Sequence, residues 1–227
     1  FLTITGNFNP YEMAKTVEDN LAKKEFGEFQ EVDIISESEP KKVTKDYMEE
    51  NVGITYPRVK YSLKIPINKF KNVETIDLKL LCDLILNINF GSTSEFRSDL
   101  ILKGLVTSMG YSLDIYEEYL VITITANTNY QDEVIKLIRE KFDNLEVDEK
   151  DIVRKRNAAI ATLILDYEDI EQVNMKIQDD IINEGEIITD LKIRVASINQ
   201  EKLESVINYI NNDNVAISVF KPKENQE

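Results

Sequence analysis

Apolar and polar residues alternate cleanly in three places along the chain. Val59, Tyr61, Leu63, Ile65 and Ile67 alternate with Lys60, Ser62, Lys64 and Pro66, which predicts a strand with one buried face. Residues 109–116 and 119–126 form the arms of a predicted hairpin turning at Glu117-Glu118, with Leu120, Ile122 and Ile124 on the covered face. Val215, Ile217 and Val219 predict a closing strand before Lys221-Pro222. Between these lie helical periods. Ile76, Leu80, Leu81, Leu84, Ile85 and Ile88 mark a long apolar helix that ends at Phe90-Gly91. The small polar segment Ser92-Thr93-Ser94 then opens a second helix, with Phe96, Leu100 and Ile101 as its apolar face and Lys103-Gly104 as its close. Further helices are predicted over residues 131–142, 149–166, 170–183 and 200–210. Asp148 is placed to accept from the free amides at the start of the second of these.

The first part of the chain reads differently. Residues 1–5 predict a strand, and a turn over residues 6–10 leads into a helix over residues 11–24 with Met13, Val17 and Leu21 on one face. From residue 25 to about residue 56 the periodic signal fades, and residues 37–45 mix Ser, Pro and charge as an inter-domain connection does. The division expected is a terminal strand and helix at 1–24, a linker at 25–51, a domain at 52–222 and a tail at 223–227. Thr3-Ile4-Thr5-Gly6-Asn7-Phe8-Asn9 recurs as Thr123-Ile124-Thr125-Ala126-Asn127-Thr128-Asn129, each followed by an amphipathic helix. Either duplicated αβ units or the shared physics of strand–turn–helix units accounts for this. The fold class expected is α+β, a largely antiparallel sheet with helices packed on one face.

Composition narrows the function. With 42% hydrophobic and 30% charged residues the chain is an ordinary globular one. No apolar run approaches the roughly 20 residues that span a bilayer. The start Phe-Leu-Thr-Ile-Thr shows neither a basic leader nor an initiator Met, which suggests a fragment of a longer protein. The net charge of −15, with fourteen acidic against five basic residues over positions 143–190, excludes binding to nucleic acid or an anionic membrane. It leaves a solvated acidic surface or, more sharply, a negative wall for basic peptides. Cys82, the single cysteine, falls on the apolar side of a helix as a buried thiol, consistent with a reducing, cytoplasmic setting.

The chain contains no histidine, so it has no imidazole ligand for zinc and no imidazole base for a serine or cysteine nucleophile. No calcium-loop pattern occurs, and the adjacent carboxylates Asp179-Asp180 diverge by about 100° around a helix. Gly91-Ser92-Thr93-Ser94 precedes a helix start but lacks the frame of a phosphate loop, so a capped helix is expected there. No catalytic or metal-ligating residue, and no cofactor, is assigned to this chain.

The order from Asn89 to Tyr111, NFGSTSEFRSDLILKGLVTSMGY, resembles the non-catalytic half of the M16 zinc metallopeptidases, the pitrilysin and mitochondrial processing peptidase family. There a G-x-S-S-x-L/F-x-x-x-L-x-x-K-G-L block sits between two helices and a hairpin. The similarity extends to residues 3–21, 147–183 and 215–222, and the K-G-L-V variant resembles a bacterial subgroup of small, two-half peptidases. Many second halves carry an Arg and a Tyr that reach toward bound peptide. Aligned on Lys103-Gly104-Leu105, those positions are Ile101 and Thr107 here.

The resemblance implies the C-terminal, non-catalytic part of a zinc endopeptidase, forming the second wall of a chamber for unfolded peptide. Zinc and the H-x-x-E-H ligands are then expected in an N-terminal half. It also implies Gly91, Ser92, Ser94, Phe96 and Tyr111 as candidates for contact with peptide or with the other half. The partners implied are that catalytic half, a peptide substrate and a homo-oligomer. The alternative is a structural or binding module akin to inactive subunits that serve assembly.

Overall fold

The computed structural model describes residues 1–28 and 39–223. In chain order the elements are α1 (Pro10–Leu21), β1 (Tyr47–Val52), β2 (Arg58–Pro66), α2 (Thr75–Phe90), α3 (Glu95–Leu102), β3 (Ser108–Ile115), β4 (Tyr119–Asn127), α4 (Gln131–Asp143), α5 (Glu149–Asp166), α6 (Ile170–Glu184), α7 (Leu191–Ala196), α8 (Gln200–Ile207) and β5 (Val215–Pro222). They divide into two compact units, one of Phe1–Glu39 with Thr162–Thr189 and one of Pro40–Ala161 with Asp190–Glu227. The division is not the one expected from sequence, because α5 passes from one unit into the other.

In the first unit Asn9 caps α1, its side chain accepting from the Tyr11 amide at 3.0 Å, with Pro10 at the first helical position. Asp169 caps α6 through the Glu171 and Gln172 amides, at 2.8 and 3.2 Å. Residues 1–5 are not a strand. Their threonines bond to α6 instead: Thr3 Oγ1 donates to Asn174 Oδ1 at 3.1 Å and Thr5 Oγ1 to the Ile170 carbonyl at 3.2 Å. A strand needs a ladder partner, and the described part of this unit contains none. The two copies of the sequence repeat therefore differ in structure, since Thr123–Asn127 lies within β4. The paired carboxylates also part company. Asp180 takes Lys176 Nζ with both oxygens, at 2.8 and 2.9 Å, and accepts from the Ile188 amide, while Asp179 is exposed.

The second unit is built on a five-stranded mixed sheet in the order β1-β5-β2-β4-β3. β2 pairs antiparallel with both β4 and β5, β3 pairs antiparallel with β4, and β1 lies parallel to β5. Strand β1 falls inside the stretch expected to be linker, so the sheet begins before the Val52 boundary. The part of that stretch over residues 29–38, and the tail beyond residue 223, lie outside the described residues.

The core sits on one face of the sheet. Val59, Tyr61 and Leu63 of β2 and Leu120, Ile122 and Ile124 of β4 are wholly buried against α2, α4 and α8. Each of these side chains contributes roughly 1.5–3 kcal/mol by leaving water. Lys60 and Ser62 of β2 and Val121 and Thr123 of β4, between them on the strands, face the other way, as a period of two requires. Four rings run from this core toward α3. Tyr61 stacks on Phe142 at 5.8 Å, Phe142 meets Phe90 at 4.8 Å, and Phe90 meets Phe96 edge-on at 5.6 Å.

Candidate functional site

Four of the five expected site residues, Gly91, Ser92, Ser94 and Phe96, gather around the end of α2. That helix stops at Gly91, whose amide bonds to the Asn87 carbonyl at 3.2 Å. A Cβ at Gly91 would stand 2.3 Å from that oxygen, so a close approach of backbone to backbone, and not an unusual φ, demands glycine here. The chain then turns through Ser92 and Thr93 to Ser94. Buried Ser94 caps α3, its Oγ accepting from the Arg97 amide at 3.2 Å. Phe96 is half-buried against Phe90, and Leu100 is 3% exposed. Ile101 is 40% exposed and does not share the inward face that the sequence assigned to it. In a helix of eight residues, Phe96 and Leu100 align one turn apart while Ile101 stands about 100° further round. The helix closes through Gly104 at φ +69°, where the Leu105 amide returns to the Leu100 carbonyl at 2.9 Å.

Three residues that the sequence pattern did not single out hold this turn in place. Asn89, buried, donates to the Ile85 and Glu146 carbonyls and accepts from the Glu146 amide, which pins the end of α2 to the segment before α5. Lys155 of α5, 6% exposed, donates to Asn87 Oδ1 at 2.7 Å and to Thr93 Oγ1 at 2.8 Å. Burial, aided by the neighbouring Arg154, holds its ammonium below the usual lysine range. Arg97 of α3 bridges two strands of backbone. Its Nε donates to the Met109 carbonyl at 2.9 Å and its Nη1 to the Ser92 carbonyl at 2.9 Å. Arg97 thus joins the 91–94 turn to the start of β3. An open cleft of about 730 Å³ borders the same turn, lined by Thr93, Ser94, Phe96, Lys141, Asp148 and Arg154.

Tyr111 lies two residues along β3 from Met109, with its ring half-buried and its hydroxyl donating to Asp83 Oδ1 on α2 at 2.9 Å. Burial pushes both groups up, the tyrosine further because it faces a carboxylate. For Asp83 the tyrosine bond works against the rise. Four of the five candidates therefore share the turn, with Gly91, Ser94 and Phe96 serving its architecture and the Ser92 carbonyl held by Arg97, while Tyr111 is tied instead to Asp83 in the middle of α2.

β3 is an edge strand. The Tyr116 amide bonds to the Tyr119 carbonyl at 2.8 Å across the hairpin turn, and ladder alternation from that pair sends the main-chain groups of Met109, Tyr111, Leu113 and Ile115 away from β4. Arg97 occupies the Met109 carbonyl. Beyond it the edge runs on without a proline, a lysine or a break in register to blunt it.

Among the described residues no group of three or more His, Cys, Asp or Glu side chains could hold an ion. Burial pushes the Cys82 thiol up to about 12, so it is not a thiolate ligand near neutrality. Zinc of the kind that M16 enzymes use does not fit these residues. No helix among the described residues is long and apolar enough to cross a membrane.

Residues 1–159 match the peptidase M16 inactive domain family, and the chain belongs to that family. Among curated proteins none matches it in sequence. Among solved structures it resembles one described as an M16-like peptidase from Alicyclobacillus acidocaldarius, at TM-score 0.81 and 18% identity over 96% of this chain and 53% of that one. A protease from Helicobacter pylori gives 0.78 and 17% over 96% and 54%. A Bordetella parapertussis structure, described as the inactive peptidase domain of a zinc protease, gives 0.63 and 13% over 78% and 97%. The chain thus spans about half the length of the first two.

Proposed function

We propose that this chain is the non-catalytic C-terminal part of an M16-type zinc endopeptidase and forms one wall of the chamber in which that enzyme holds unfolded peptide. The observation that carries the proposal is the free edge of β3 beside the turn at residues 91–94. An extended peptide laid along Tyr111, Leu113 and Ile115 gains main-chain hydrogen bonds whatever its sequence, as a peptidase of broad substrate range requires. Holding the peptide there raises its effective concentration at the zinc of the other half. In this reading residues 1–24 complete the preceding half-domain. The enzyme works in the cytoplasm, and its two halves, or two copies of it, close on each other.

The test is to express separately the half that carries H-x-x-E-H and mix it with this chain. Co-sedimentation together with zinc-dependent cleavage of an unstructured peptide, seen only with both present, is the expected result. A chain that ignores that half at tens of micromolar, or a parent sequence without the zinc motif, moves the assignment to a non-enzymatic assembly module.

A further inference from the structure

The face of the sheet away from the core carries a charge pattern opposite to that of the whole chain. Because Val59, Tyr61 and Leu63 are wholly buried, Arg58, Lys60 and Ser62 point to the open side of β2. Strand register extends each position toward the β3 edge. Arg58 stands beside Asn127 and then Ser108, and Lys60 beside Thr125 and then Gly110. Nothing bulky lies between either cation and that edge, and a shallow depression of about 470 Å³ opens over Arg58, Ser108, Gly110, Thr125 and Asn127.

Arg58 is oriented toward the edge. Its Nε donates to Asn127 Oδ1 at 3.0 Å, and Asn127 Nδ2 in turn donates to Ser108 Oγ at 2.9 Å. Lys64, further along, is already engaged, donating to the Pro40 carbonyl at 2.9 Å and standing 4.0 Å over the Tyr119 ring. Among the described residues no ion pair is found for Arg58 or Lys60. Of the acids on the same face, Asp114 lies at the far end of β3, and Glu50 on β1 stands across Phe220 from Arg58, on the side away from β3. In a chain of net charge −15 this is a local positive surface with unused donors.

We infer that the site selects acidic extended peptides, with Arg58 and Lys60 taking glutamate carboxylates from the open side of a strand docked on β3. The inference rests on the edge-docking role proposed above and adds the class of peptide to it. Strand spacing sets the side-chain length. With neighbouring strands about 4.8 Å apart, Arg58 lies about 10 Å from β3 and about 14 Å from a strand docked outside it. An arginine and a glutamate leaning together over Gly110, just past the Met109 carbonyl that Arg97 holds, close that span. An aspartate falls one methylene short.

The experiment uses fluorescent peptides of about ten residues, alternating threonine with glutamate, aspartate, glutamine or lysine. Each is titrated against the whole chain by anisotropy at low and high ionic strength. The glutamate peptide is expected to bind about tenfold tighter than the glutamine peptide at low salt, with aspartate between them and the gap narrowing at high salt. Arg58→Gln with Lys60→Gln should bring the glutamate peptide to the affinity of the glutamine peptide and leave the latter unchanged. Should the double variant fail to fold, Lys60→Gln alone, at an exposed position, must still narrow the gap. Equal binding of the glutamate and glutamine peptides, a preference for lysine, or a preference that survives the variants overturns the inference while leaving edge docking standing. Failure of every peptide to bind removes edge docking, and this inference with it.

Discussion

Arg97 Nε donates to the carbonyl of Met109 at 2.9 Å, and through this bond a helix side chain completes the first outward position of an otherwise free strand edge. The same guanidinium holds the Ser92 carbonyl, so one residue sets where the edge begins and where the preceding turn lies. A planar fork with several donors suits two carbonyls in different directions, which a lysine ammonium on a flexible stem does not.

Arg97→Ala is therefore expected to cost about 1–2 kcal/mol, the net worth of charge-assisted hydrogen bonds lost at a half-buried site. Arg97→Lys should recover less than half of that. Urea midpoints give the cost. Hydrogen exchange should show faster exchange at Ser108–Tyr111 in both variants, and unchanged protection there would refute the clamp.

Gly91→Ala and Gly104→Ala separate two reasons for glycine. At Gly91 the new Cβ meets the Asn87 carbonyl at 2.3 Å, so helix α2 must give way, at an expected cost of at least about 2 kcal/mol. At Gly104 there is open space but φ is +69°, and about 1–2 kcal/mol is expected. Denaturation of the two variants side by side checks the order, and a costlier change at Gly104 contradicts it.

Leu100→Ala should lose about 2–5 kcal/mol, since it empties a fully packed position. Ile101→Ala, at a position 40% exposed, should change stability by no more than about 0.5 kcal/mol. Similar losses at both positions would mean that α3 is rotated from the orientation described.

Asp83 gives a pH dependence of defined sign. Its carboxyl pKa is raised in the folded chain, chiefly by burial. Folding therefore takes up a proton between the ordinary carboxylate pKa of about 4 and the raised value, and stability present in acid is lost as pH rises through that window. Asp83→Asn keeps an acceptor for the Tyr111 hydroxyl and removes the titration. Relative to the parent, its urea midpoint should rise as pH goes from about 3.5 to about 6. A constant difference across that range would show that Asp83 does not titrate abnormally.

The parts of the fold that could be read from the sequence are those whose environment repeats along the chain. β2 and the β3–β4 hairpin showed themselves because one face is buried at every second residue. Asp148 and Ser94 showed themselves because capping is local chemistry, and the structure has Asp148 accepting from the Asp151 amide at 2.7 Å. β1 did not. Tyr47–Val52 is an edge strand with two glutamates and no consistent inward face, and it is a strand only because β5, far along the chain, supplies its ladder. Six-residue α7 is too short to display a period. The buried Lys155 and Asn89 look like ordinary helical polar residues until α5 and the segment at Glu146 are folded against α2. Residues 1–5 err in the opposite direction, with the composition of a strand and no partner strand among the described residues of their unit.

β5 stands between β1 and β2, so the last of the five strands in chain order is an inner member of the sheet. While the chain is being synthesised, β1 has nothing to pair with and β2 has one open flank until Val215–Pro222 leaves the ribosome. Contacts between residues some 170 positions apart in the chain form slowly, because their loop-closure entropy must be met first. From the emergence of β1 until that of β5 a growing chain thus carries an unsatisfied hydrogen-bonding strand, a state prone to pairing with the wrong neighbour. Translation stalled shortly before residue 215 should leave a protease-sensitive, aggregation-prone product, and a few further codons should convert it to a resistant one.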